Sequence, residues 1–326
     1  MSTDRTHLEK IVCMLGLSYT KGAVAIGLSF FALSIAIMAF LEKSFAHITL
    51  YFLLSEIIAI QIAIICWSHE RIIDLKSIFI DVIELPESQV QKWHKRQEML
   101  IFNDKRMIAS GIAVTLIAVA LGLDHFGLAS QTLASYIFVN VYYYVAHYIM
   151  GAALYSWMAT ALVVSNLEKM PLKINVLISK KIRLKGALYS KFTLCAACDY
   201  VLWGAFHLST PLKLSTLPAI LWFSSFAVLL CAYFILPQYR IHQLIEKTKK
   251  KKLKIFYSSL REKAEEALIL PTKENASSLK IMLEVQCQID EMCEWPFGSY
   301  EILHIALIII IPIIVVLLEI MFGVVK

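Results

Sequence analysis

Asn140, Tyr143, Tyr144 and His147 fall inside one apolar run of the chain, in the stretch VNVYYYVAHYIMG. At about 100° per residue all of them project within about 60° of Asn140, so a helix carries them as one polar stripe. An amide, two phenols and an imidazole in that arrangement can pass protons, coordinate a cation or border water. Facing hydrocarbon is costly, because a polar group there needs a partner. The stripe must therefore face a water path or another helix.

Further ionisable groups interrupt other apolar runs: Glu56 in YFLLSEIIAIQIAIICW, Asp199 in CAACDYVLWGAFH with His207 at its end, and Glu319 in the last run. Glu56 shares a helical face with Ala59, Ala63 and Trp67, whereas Gln61 points elsewhere. Glu56, His147 and Asp199 each sit near the middle of a run, so by depth they can meet. Intramembrane carboxylates and histidines mark ion or proton paths by default. The plainer alternative is that they hydrogen-bond to one another and fix the packing.

No catalytic signature accompanies these groups. The sequence has no HExxH pair, no Gly-rich phosphate loop and no GxSxG elbow, so neither catalytic residues, a metal nor a cofactor is expected. Cys195 and Cys198 have CxxC spacing, but a zinc site needs further ligands, and the pair reads as small packing residues. A lone histidine in a span is weak support for a haem.

The stretch KTKKKKLK contributes Lys247, Lys249, Lys250, Lys251, Lys252 and Lys254. Such an array attracts anionic lipid headgroups or other anions by charge, or forms a solvated face that enforces topology. Without interleaved aromatics, sequence-specific nucleic-acid binding is not expected.

The elements that must position these groups follow from composition. Of 326 residues 59% are hydrophobic and 17% charged, against about a quarter charged in soluble domains. Seven apolar runs, 23–41, 48–67, 107–123, 133–163, 192–208, 216–236 and 302–322, approach the roughly 20 residues that a membrane helix needs. The third and fifth are the weakest. The fold class expected is an all-α polytopic membrane protein of six to seven transmembrane helices plus a cytoplasmic antiparallel helical hairpin.

Charge sets the expected orientation. Residues 1–22, loops 68–106 and 164–191, and 237–301 hold 28 of the 31 Lys and Arg, which places them in the cytoplasm by the positive-inside rule. Seven spans then put the C-terminus outside, and the plasma (inner) membrane is the expected location. Loop 68–106 reads as a salt-bridged helical pair broken at Pro86, with Ser88 as a possible cap. Loop 164–191 sets seven bases against Glu168 and suits a headgroup layer or a plain cytoplasmic loop.

The segment 237–298 reads as the hairpin. Leu253, Phe256, Leu260, Ala264 and Ala267, and on the returning arm Leu279, Met282, Gln286, Ile289 and Cys293, recur as coiled-coil-like seams. Trp295 and Pro296 then anchor the chain at the interface before the helix in 299–326.

These features lead to three functional expectations. The first is a homo-oligomeric ion channel or pore lined by the stripe and triggered through the hairpin. The second is a proton- or ion-coupled transporter using Glu56, His147 and Asp199, against which the lack of internal repeats counts. The third is a noncatalytic membrane scaffold that binds a cytosolic partner through 237–294.

Overall fold

The computed structural model describes residues 6–42, 48–120, 133–167, 170–171, 191–206, 216–270 and 272–290, with six further positions in the last apolar run. Regular structure among them is helical: α1 (His7–Met14), α2 (Tyr19–Ile37, extended by a π-helical turn, Met38–Glu42), α3 (Ile48–Val82), α4 (Glu87–Ile101), α5 (Asp104–Ala120), α6 (Leu133–Leu167), α7 (191–206), α8 (Thr216–Ile269) and α9 (Lys273–Asp290).

Among the described residues, four helices are long and apolar enough to cross a membrane, through Tyr19–Phe40, Ile48–Asp74, Tyr136–Val163 and Ser224–Ile269. Their outer faces expose large apolar side chains, among them Leu28 and Phe40 on α2, Ile137 and Leu162 on α6, and Val228 and Leu236 on α8. An apolar surface of that extent belongs in lipid. The described residues are all-helical, and the length and apolar surface of these helices suit a membrane. Apolar run 107–123 falls mostly on α5 and run 192–208 mostly on α7. The run 302–322, apart from isolated positions, and the expected anchors Trp295 and Pro296 lie outside the described residues.

Contacts between α3, α6 and α7 fix their relative directions. Tyr51 of α3 meets Phe138 of α6 and Ser55 bonds to Tyr142, so α3 and α6 run parallel. α7 runs against both: Trp67 meets Phe192 while Gln61 meets Asp199, and Tyr143 meets Phe206 while His147 meets Trp203.

Close approach is permitted by glycine. A Cβ on Gly27 of α2 would lie 2.7 Å from the Ala59 Cβ of α3, and one on Gly151 of α6 would lie 2.6 Å from the Ser110 carbonyl oxygen of α5. Small residues at such crossings let packing replace the missing hydrophobic drive between helices in lipid. The α5–α6 contact is closed by a hydrogen bond from Ser110 Oγ to the Gly151 carbonyl, 2.8 Å.

The extramembrane segments build on the same helices. α3 continues past the end of its apolar run to Val82. α4 starts from Pro86, whose carbonyl accepts from Gln89 and Val90; Ser88, expected as the cap, lies inside the helix. Proline fixes its own φ and supplies the first acceptor, so the helix begins there and needs no hydroxyl cap.

α8 runs for 54 residues straight through Pro237. Just beyond that proline, Ile241 and Ile245 are buried against Ile83 and Val90. α9 returns along α8, with Lys249 Nζ donating to the Asp290 carbonyl at 3.0 Å and Gln286 Nε2 to Tyr257 Oη at 3.3 Å. Leu253, Phe256, Leu260, Ala264, Ala267, Leu279, Met282, Gln286 and Ile289 are half-buried along this contact; Cys293 lies outside the described residues.

Candidate functional site

α7 covers the polar stripe of α6. His147 and Tyr143 are fully buried and Asn140 nearly so, while Tyr144 is half-buried. The His147 ring lies 4.5 Å from that of Trp203 and 4.1 Å from that of Tyr143, and Tyr143 stacks on Phe206 at 6.0 Å. Two of the polar heads turn back on their own helix: His147 Nδ1 donates to the Tyr143 carbonyl at 3.0 Å and Asn140 Nδ2 to the Tyr136 carbonyl at 2.9 Å. Within the protomer, Tyr143 and His147 are packed against rings of α7. The physical reason is that Trp and Phe on α7 supply matching flat surfaces, so burial of aromatic area outweighs hydration of the stripe.

Asp199 is buried in the same interface, one turn of α7 from Trp203. Gln61 of α3 donates from Nε2 to Asp199 Oδ2 at 3.1 Å. The other oxygens of the pair, Asp199 Oδ1 and Gln61 Oε1, are buried without a hydrogen-bond partner among the described residues. An unsatisfied buried acceptor costs about 1–3 kcal/mol, and more when charged. Two such acceptors on one hydrogen-bonded pair therefore favour a proton, a cation or a donor molecule. Both residues line a narrow crevice between α3, α6, α7 and α8, whose other walls include Met150, Trp157, Tyr200, Trp203 and Phe226. Its interior holds about one water molecule.

The remaining expected residues are dispersed. Glu56 is half-buried on α3 and joins neither His147 nor Asp199. Its helical neighbour Gln61, set aside by periodicity because it points away from Glu56, is the residue that reaches Asp199. His207 lies outside the described residues. Lys247, Lys250, Lys251 and Lys254 are exposed, whereas Lys249 is half-buried and tied to α9. Lys250 is paired with Glu246; Lys252 belongs to the same helix, and its side chain lies outside the described residues. Cys195 and Cys198 are free thiols.

A second polar cluster escaped the sequence reading. Glu9 of α1 is fully buried: it accepts from Thr6 N at 2.8 Å and Thr6 Oγ1 at 2.9 Å and pairs with His69 Nδ1 of α3. His69 Nε2 lies 3.4 Å from Glu98 of α4, and its ring packs on Phe102 at 4.1 Å. Alongside, Asp104 of α5 accepts from His7 N at 2.7 Å and from His7 Nδ1 at 2.9 Å, with Lys10 at 3.5 Å. His7 Nε2 reaches Tyr148 Oη of α6 at 2.9 Å. The signal was present as Thr6-His7-Leu8-Glu9, a capping box. What it pins, five helices at one end of the bundle, depends on residues far apart in the chain.

Compared with protein-family models, curated proteins and solved structures, the chain finds no match. Its functional reading rests on the site itself.

Proposed function

We propose that this is a membrane transport protein that moves a proton or a monovalent cation through a carboxylate site formed by Asp199 and Gln61. The observation that carries the reading is the pair of buried oxygens without a partner among the described residues, in residues that line a largely apolar and aromatic crevice. Such an arrangement is costly when empty and relieved by a positively charged occupant. The bias of 28 of 31 basic residues to four segments supports six or seven spans, with the N-terminus, α4 and the α8–α9 hairpin in the cytoplasm.

A carrier-like, occluding site fits the geometry better than an open pore. The stripe of Asn140, Tyr143 and His147 is covered by α7. A pore on an axis between copies would need a polar outer face, and the outward residues of α5 and α6 include Ile112, Leu116, Ile137, Val141 and Met158. The base of the hairpin, Ile241 and Ile245 against Ile83 and Val90, joins α8 of the crevice to the cytoplasmic side, the route by which a cytosolic partner would act on transport.

Purified protein in liposomes tests this. Proton, Na⁺, K⁺ and ammonium fluxes are compared between wild type and Asp199→Asn, an isosteric change that removes the charge. The expected result is saturable flux of one of these ions that drops at least tenfold in the variant. Equal flux in both proteins, or none in either, overturns the proposal, and single-channel steps that persist in Asp199→Asn would return the reading to a pore.

A further inference from the structure

We infer that the cation held by Asp199 and Gln61 is ammonium. The inference rests on the transport reading above and specifies the ion. The argument turns on what the crevice offers beyond its two oxygens. A divalent cation takes about six to eight oxygen ligands; here the side chains of the wall offer oxygen from only the Asp199 carboxylate, the Gln61 amide and the Tyr200 hydroxyl. The described residues also contain no cluster of three or more His, Cys, Asp or Glu suited to a metal. An alkali ion replaces its hydration shell with rings of carbonyl oxygens, and the helical backbone around Asp199 spends its carbonyls on its own ladder.

An ammonium ion has different needs. Its N–H groups donate directionally, so Asp199 Oδ1 and Gln61 Oε1, both lacking a donor among the described residues, can each accept one. The remaining N–H groups point at aromatic faces, and Trp157, Tyr200, Trp203 and Phe226 line the same space. A cation within about 6 Å of such a ring is attracted by its quadrupole, indole most strongly, and the effect grows when water is excluded. Size agrees as well: ammonium is close to water in volume, and the crevice holds about one water. One carboxylate balances one positive charge, leaving the buried site neutral, as low dielectric requires.

The test uses the full-length protein in lipid nanodiscs and reads tryptophan fluorescence, since two of the lining residues are Trp157 and Trp203. Ammonium chloride is titrated at neutral pH and constant ionic strength against KCl. The expected result is a saturable change with ammonium, a weaker response to methylammonium, and none to tetramethylammonium, NaCl or KCl. Asp199→Asn should weaken ammonium binding at least tenfold and Gln61→Met severalfold. If Asp199→Asn fails to elute as a folded species, Gln61→Met decides the question. A response to KCl equal to that to ammonium, or one unaltered by the substitutions, overturns the inference. Asp199-dependent proton or alkali flux in liposomes with no ammonium response overturns the ion assignment alone; absence of both overturns the transport reading as well.

Discussion

Replacing Glu9 separates two roles of a buried carboxylate. Glu9 closes the capping box of α1 by accepting from Thr6, and it also pairs with His69 across to α3. Glu9→Gln keeps a side chain able to reach Thr6 but removes the charge. It exchanges a charge-assisted hydrogen bond, about 1.5–3 kcal/mol, for a neutral one, about 0.5–1.5 kcal/mol, so the expected loss is about 1–2 kcal/mol. Glu9→Ala removes the cap, about 1 kcal/mol, and leaves His69 buried without its nearer carboxylate, a class of change that costs about 3–5 kcal/mol. Because these terms share residues they do not add fully, and about 3–5 kcal/mol is expected overall. Unfolding by SDS titration in mixed micelles measures the difference, and a Glu9→Gln, His69→Gln double-mutant cycle should give a coupling of about 1–3 kcal/mol. Equal effects of Glu9→Gln and Glu9→Ala, or a coupling near zero, would refute the reasoning that the ion pair, rather than the cap, holds α1 to the bundle.

Other perturbations address the remaining contacts. Gly151→Ala places a Cβ 2.6 Å from the Ser110 carbonyl oxygen and 2.8 Å from Gly111 Cα, backbone atoms that cannot swing away, so α5 and α6 must separate at about 1–3 kcal/mol, read by the same titration. Gly16→Ala meets nothing within 4 Å but holds φ at +67°, and only the left-handed strain of about 1–2 kcal/mol is expected. Tyr142→Phe should cost about 1 kcal/mol, since Ser55 Oγ keeps its 2.7 Å bond to the Tyr51 carbonyl. Asp104 supplies a pH dependence: partial burial pushes its carboxyl up, but hydrogen bonds from His7 and the charges of His7 and Lys10 outweigh this and hold it below the usual range. A carboxylate depressed in the folded state stabilises above its unfolded value of about 3.9, and the contribution fades as pH falls through the lower folded value. Hydrogen exchange in α1 should therefore rise below about pH 4 in wild type and change less over the same range in Asp104→Asn.

The membrane class, the long apolar helices and the less exposed side of the α8–α9 contact were all legible in the sequence, because each is a property of one helix: its length, its apolar content or the angular spacing of its own side chains. The stripe on α6 was legible for the same reason, and the fold buries Asn140, Tyr143 and His147 of it while leaving Tyr144 half-buried. What lay opposite it was not. Periodicity gives the angle of a residue about its own axis, but neither which helix stands at that angle nor how far that helix is shifted along its length. Those two quantities set Trp203 and Phe206 against His147 and Tyr143 and chose Gln61 over Glu56 as the partner of Asp199. They also drew Glu9, His69 and Glu98 into one cluster. Axial offset and neighbour identity are fixed by the sum of many close contacts, glycine crossings among them, and such a sum exists only once the helices are packed.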